Sequence, residues 1–218
     1  MHRTRRHGHG RGHGHGHDDA PGAIRYAHTY EMLSVVVFAG RRRRTYSRFV
    51  ELAGVRAGDR VLDIGCGPGY LTSLAAGAGG SAVGVDVSEP MVEEARRLRG
   101  SGTCTFEIGH AEALPFEDES FDVIVSALAV HHIPEEHRAT AYAEMRRVLK
   151  PGGRVLIADF RPPRSGVGRH LVRAITGGEM MSHNPVERIA PMMAEAGLNV
   201  ISTHQVGAFF HCVRAGKA

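Results

Sequence analysis

Cysteine is scarce in this chain of 218 residues: Cys66, Cys104 and Cys212 are few, odd in number and far apart. No two form a CxxC pair, so the pattern speaks against a disulfide framework or a structural zinc site and predicts reduced thiols. Long apolar runs are missing too. The longest early one, Val35 to Phe38, falls far short of the roughly 18 residues that span a bilayer. The opening MHRTRRHGHGRGHG has positive charge but no apolar core behind it, and does not read as a secretory signal. These absences predict a soluble cytoplasmic protein with no membrane partner. Carboxylates are absent from residues 1–17, where Arg3, Arg5, Arg6 and Arg11 supply a charge equal to the formal +4 of the whole chain. The remainder is formally neutral, which leaves no global argument for a nucleic-acid partner.

What is present begins with histidine. Six of the fifteen lie in the first 17 residues, in the alternation His7-Gly8-His9 and His13-Gly14-His15-Gly16-His17. Glycine at every second place supplies nothing to bury, so residues 1–20 read as a disordered tail. Imidazoles two apart can converge on a soft divalent ion, yet composition alone makes no site, and no metal ligand is assigned. Residues 21–218 read as one domain, with 21–55 as an N-terminal helical lid interrupted at Gly40. Its run Arg41-Arg42-Arg43-Arg44 covers every face of a helical turn: a solvated surface, with room for one arginine to face an anionic ligand.

From residue 60 short apolar runs alternate with helical stretches. Val61–Ile64, Ala82–Val85, Thr103–Ile108, Phe121–Ser126 and Arg154–Phe160 read as strands. Helices are predicted over 70–76 with Gly77 as its stop, 90–98 with Ser88 as N-cap, 136–149 halted by Lys150-Pro151-Gly152-Gly153, and 185–196 ahead of Gly197. Leu198–Thr203 and Gly207–Val213 follow with only a short turn between them, which forces an antiparallel pair. The fold predicted is α/β: a Rossmann-like, seven-stranded, mostly parallel sheet with helices on both faces and a C-terminal antiparallel hairpin.

The sharpest motif is VLDIGCGPGYLT, Val61 to Thr72. Glycines after a strand let the backbone turn tightly and approach a ligand lying over the strand's carboxyl end. As a dinucleotide fingerprint it fails, because the third glycine of G-x-G-x-x-G is replaced by Tyr70. The next strand ends in Asp86. A carboxylate there can accept from both ribose hydroxyls of an adenosine; the plainer reading is an aspartate at a helix start. Coupled to the glycine turn, nucleoside binding is favoured.

VLDIGCGPGY, VGVDVSEPMVEEA, GHAEALPFEDESFDVIVSALAVHHI and RVLKPGGRVLIADF stand in the order and approximate spacing of class I methyltransferases. The chain resembles the methyltransferase type 11 group and its ubiquinone/menaquinone C-methyltransferase-like branch over roughly residues 26 to 213. The resemblance implies S-adenosyl-L-methionine as cofactor. It implies Gly65, Cys66, Gly67 and Gly69 against the methionine part, with Asp63 beneath orienting the loop and reaching the amino group. It implies Asp86 and Val87 at the ribose, Met91 or the residue before it on the adenine face, and Ala111 and Glu112 at the adenine edge. His110 stands where family members often carry Asp or Asn, a departure that leaves it either capping the adenine pocket or pointing away. Ser126 and Ala127 border the methionine chain, and Tyr30-Glu31 resembles a Tyr-Asp pair in the family's lid, making Tyr30 a contact.

Methyl transfer from a sulfonium is an in-line displacement in which the protein mainly aligns groups and excludes water. An acceptor that must lose a proton calls for a base, and His131 and His132, after the fourth strand, are the candidates. The plainer reading is that they cap the helix start at Pro134-Glu135-Glu136. The expected partner is a small-molecule methyl acceptor taken on O, N or C, with the enzyme a monomer or homodimer. Two alternatives stand beside this: a catalytically inactive cofactor- or metal-binding protein of the same fold, and a nicotinamide-dependent oxidoreductase.

Overall fold

The computed structural model describes residues 41–161 and 186–218. The His-Gly tail, the stretch before Arg41 that the sequence predicts as helical, Tyr30-Glu31 and the segment 162–185 lie outside the described residues. Helix α1 (Arg42–Ala53) buries Tyr46, Phe49, Val50, Leu52 and Ala53 at three- and four-residue spacing. It ends at Gly54, whose φ of +71° turns its N–H back onto the Val50 and Glu51 carbonyls. Then follow β1 (Arg60–Ile64), α2 (Tyr70–Ala78), β2 (Ser81–Asp86), α3 (Glu89–Arg99), β3 (Cys104–Ile108), β4 (Phe121–Ala127), a short 3₁₀ turn (Val130–His132), α4 (Glu135–Val148), β5 (Leu149–Phe160), α5 (Ile189–Glu195), β6 (Asn199–Val206) and β7 (Phe210–Gly216). Among the described residues no helix is long and apolar enough to cross a membrane.

The strands form one seven-stranded sheet in the order β3-β2-β1-β4-β5-β7-β6. The first five are parallel, and β7 runs antiparallel to both β5 and β6. The predicted fold is the observed one. Central strands are apolar on both sides because both faces are covered. Val61, Val123, Val125 and Leu156 pack toward α1 and α2 with Phe49, whereas Leu62, Ile124, Val155 and Ile157 pack toward α4 and α5 with Tyr142, Met145 and Met193. This period of two also sends Asp63 and Asp159, each inside an otherwise apolar strand, to opposite faces.

Four local expectations are corrected. Gly77 does not stop its helix, which runs on to Ala78 before Gly79 closes it with an N–H to the Ala75 carbonyl. A solvent-facing helical glycine costs only about 1 kcal/mol, so tertiary packing overrides it. Ser88 holds the N-cap position of α3 but makes no side-chain cap bond; its own N–H is taken by the Asp86 carboxylate at 2.9 Å. Lys150-Pro151-Gly152-Gly153 follows a helix that already ends at Val148, and lies within β5 as an excursion. Leu149 pairs with Phe121 and Arg154 with Val123, so the four intervening residues loop out of register, with Gly152 at φ +72°. The last predicted helix is shorter than its apolar pattern suggests. Only Ile189–Glu195 is α-helical, after a turn, and Gly197 follows at φ +79°.

Candidate active site

The chain proceeds from β1 outward through β2 and β3, then crosses back to place β4 on the other side of β1. Connections therefore diverge above the carboxyl ends of β1 and β4, and a crevice opens at such a switch point. The turn that leaves β1 enters it with Gly65, Gly67 and Gly69 at φ +72°, +51° and +80°. These are left-handed values that any side chain would strain. A Cβ on Gly65 would lie 2.2 Å from the Ala129 methyl, and one on Gly69 would lie 2.5 Å from the Phe106 ring. Gly65 and Gly69 are thus demanded by the packing of the turn against the loop after β4 and against β3. The Gly65 and Cys66 N–H groups both donate to the Val85 carbonyl, at 2.8 and 3.0 Å, stitching the turn to β2.

Two carboxylates hold this turn from below and beside. The Asp86 Oδ2 accepts the Gly67 N–H at 2.8 Å while its Oδ1 accepts that of Ser88. It therefore serves both the loop and the helix start. Burial raises its pKa, and the Ser88 and Gly67 N–H groups oppose that rise. Asp63 is buried and its Oδ2 accepts the Thr72 hydroxyl at 2.6 Å. Burial raises its pKa to about 7, against the Thr72 bond and helped by the negative charge of Asp86. A narrow cleft is lined by Asp63, Gly65, Cys66, Ala127, Arg42 and Tyr70, among others. Cys66 is buried with its Sγ turned to the Gly67 carbonyl at 3.4 Å; burial, with the nearby carboxylates, lifts its thiol well above the ordinary range. It remains a neutral thiol.

The other expected residues fall around this centre. Ser126 is buried and donates to the Ile64 carbonyl at 2.8 Å, joining the ends of β1 and β4. Met91 and Ala111 are buried and Val87 exposed. His110 is exposed, with Nδ1 3.5 Å from the Glu112 carboxylate.

The histidine pair separates cleanly. His131 is buried, and its Nδ1 stands 2.8 Å from Oδ1 of Asp159, which is wholly buried. Oδ1 also accepts the Phe160 N–H at 2.7 Å. The His131 Nε2 is buried and has no hydrogen-bond partner among the described residues. His132, 4.1 Å away ring to ring, is exposed. Neither caps α4, which begins after Pro134 without a side-chain cap bond. Asp159 was missed in the sequence reading. Its signal was a lone acid in the apolar strand Val155–Phe160; its partner, 28 residues upstream, is brought beside it by the parallel pairing of Ala127 with Ala158.

A glycine turn over a parallel sheet, two acidic strand ends at the crevice and an antiparallel closing hairpin define a Rossmann-like transferase that binds a nucleoside cofactor. Residues 61–153 match a family described as Methyltransferase domain. The chain is 32% identical to the ubiquinone/menaquinone biosynthesis C-methyltransferase UbiE of Pseudomonas putida, over 87% of this chain and 84% of that protein. It is 38% identical to the protein of the same description from Pseudomonas paraeruginosa, over 83% and 80%. A solved S-adenosylmethionine-dependent methyltransferase from Aquifex aeolicus shares the fold at a TM-score of 0.63 and 23% identity, covering 79% of this chain and 89% of that one. The chain belongs to the class I S-adenosylmethionine-dependent methyltransferases. Its cofactor is S-adenosyl-L-methionine and its reaction is methyl transfer to an O, N or C atom of a small-molecule acceptor. Neither the inactive nor the nicotinamide alternative is favoured.

Proposed function

We propose that this enzyme methylates a ring carbon of a quinol-type acceptor and that His131, oriented by Asp159, is the base. The observation that carries the proposal is the buried His131–Asp159 pair with its unpartnered Nε2. A carboxylate only accepts, so Nδ1 keeps its proton and Nε2 presents a lone pair. The relatives' description as ubiquinone/menaquinone C-methyltransferases supports the acceptor class. A phenolic ring carbon becomes a good nucleophile once its hydroxyl is deprotonated. His131 Nε2 takes that proton as the ring-carbon–methyl bond forms, and returns it to the oxygen as the ring proton is lost to solvent and aromaticity is regained. When bound, S-adenosylmethionine supplies a methyl group on a sulfonium and departs as a neutral thioether.

In this reading Asp63 pairs with the cofactor's amino group, Gly65, Cys66, Gly67 and Gly69 approach its methionine part, and Ser126 and Ala127 border it. Asp86 with Val87 takes the ribose, Met91, Ala111 and Glu112 frame the adenine, and His110 lies at its edge. Tyr30 belongs to the same set by the family likeness. The division into a tail over 1–20 and a domain over 21–218, cytoplasmic placement, no nucleic-acid or membrane partner and a monomeric or homodimeric state belong to the same proposal.

The test incubates the full chain with S-adenosylmethionine and a short-chain prenylated naphthohydroquinone kept reduced, and reads the product by mass spectrometry before and after reoxidation. A product heavier by one methylene that reoxidises to a quinone is expected. A product that cannot reoxidise is an O-methyl ether and would sink the carbon assignment, as would no product at all.

Asp63 makes a pH prediction. It must be ionised to hold an ammonium, yet burial raises its pKa to about 7. Cofactor affinity is therefore full above that value and falls as pH drops through it, by up to tenfold per pH unit. The same raised value costs the unliganded fold stability as pH climbs from the ordinary carboxylate range toward 7, since the native state holds the proton more tightly than the unfolded one. Calorimetric titration of S-adenosylhomocysteine across pH should show this slope in the wild type and a flat line in Asp63→Asn.

A further inference from the structure

We propose that Arg138 is a positioning residue for His131, holding from α4 the strained turn that aims the imidazole. The proposal rests on the reading of His131 as the base. Leu128, the first residue after β4, takes φ +59°, a left-handed value that a bulky side chain disfavours. Such a conformation persists only where its surroundings over-determine it. On the sheet side they do: the Leu128 N–H donates to the Ala158 carbonyl at 2.8 Å, and the Ala129 methyl fills the space beside Gly65. Two 3₁₀ bonds follow, from the His132 N–H to the Ala129 carbonyl at 3.0 Å and from the Ile133 N–H to the Val130 carbonyl at 3.2 Å. The next bond of that series would reach the His131 carbonyl from residue 134, which is proline and has no N–H. The base therefore carries a carbonyl that its own turn cannot satisfy.

Arg138 answers it. Its Nε donates to the Ile133 carbonyl at 2.9 Å, and its Nη2 reaches the His131 carbonyl at 3.5 Å. The buried face of α4 consists of Arg138, Ala141, Tyr142, Met145 and Val148. An arginine buried at the head of that stripe is costly where an apolar chain would pack. What it gains is geometry. A guanidinium presents its donors in one rigid plane, so two carbonyls two residues apart are held at a fixed spacing. That spacing sets the rotation of the turn, and with it the direction of the His131 ring. Asp159 Oδ1, 2.8 Å from Nδ1, fixes the ring at its other end. Asp159 orients the imidazole, and Arg138 orients the backbone that carries it.

The experiment uses the full chain labelled with nitrogen isotope at histidine, and compares Arg138→Met, Arg138→Lys and His131→Asn. Signals missing from His131→Asn identify those of His131. Methionine fills the stripe with an unbranched apolar chain, whereas lysine keeps a charge and a donor but not the fork. In Arg138→Met, kcat toward the prenylated naphthohydroquinone should fall about tenfold to a hundredfold, while S-adenosylhomocysteine affinity stays within about twofold and reports a folded protein. The His131 nitrogen signals should move, because the ring loses its single setting against Asp159. Arg138→Lys should recover part of both. A residue that only packs α4 would lower the melting temperature and leave the His131 signals in place. That pattern would overturn the proposal, and so would a kcat for Arg138→Met within about threefold of wild type. Should Arg138→Met lose S-adenosylhomocysteine binding as well, the comparison is read on Arg138→Lys, where wild-type signals with wild-type kcat overturn it. Wild-type turnover by His131→Asn would overturn the base itself, a result distinct from unmoved His131 signals in the Arg138 variants.

Discussion

Replacing Asp159 by asparagine should lower turnover by about a hundredfold to ten-thousandfold while leaving S-adenosylhomocysteine affinity within about twofold. The carboxylate is wholly buried and its Oδ1 serves both the His131 Nδ1–H and the Phe160 N–H. An acceptor-only neighbour dictates one tautomer of His131. Asparagine can turn its amide N–H toward Nδ1 instead, and the ring proton then sits on Nε2, where it blocks proton abstraction. Asparagine retains the volume and a hydrogen-bonding group, so neither a cavity nor an unpartnered His131 Nδ1 is left. Nitrogen chemical shifts of His131 report the tautomer directly and should change between wild type and Asp159→Asn. His132, exposed and outside the pair, should tolerate alanine with less than about a tenfold loss. Turnover of Asp159→Asn within about threefold of wild type would mean that alignment alone carries methyl transfer and that the pair is structural.

The sheet was legible because its causes are local. Val61–Ile64 and Phe121–Ser126 are apolar on both faces, and the short link before Phe210 permits only an antiparallel return. Glycine and proline were read less well because tertiary packing overrides their local preferences. Gly77 stays helical, and Pro151-Gly152-Gly153 is absorbed as an excursion once Leu149 has paired with Phe121. At the site, Asp63, Asp86 and the glycines were visible as a strand–turn–helix pattern that carries its own geometry. Asp159 was not singled out, since the His131 it meets lies 28 residues upstream. Asp159, near the end of β5, meets His131 in the 3₁₀ turn that follows the neighbouring β4. The sequence offers two adjacent histidines after the fourth strand. Choosing between them needed the sheet register, which places a buried carboxylate beside the first.

Asp86→Ala should weaken S-adenosylhomocysteine by about a hundredfold to ten-thousandfold, and methylthioadenosine by as much. The carboxylate accepts two N–H groups, from Gly67 at 2.8 Å and Ser88 at 2.9 Å, one on each oxygen. Each oxygen retains a further lone pair, so two ribose hydroxyls can be met without surrendering either bond. Alanine removes the ribose acceptors and also leaves both N–H groups unpaired, which loosens a turn whose glycine dihedrals depend on that anchor. Asp86→Asn offers a single oxygen, satisfies one of the two N–H groups and should fall between. Retention of both affinities within about threefold in Asp86→Ala would place the ribose elsewhere and leave this carboxylate as a tie between β2, the glycine turn and the start of α3.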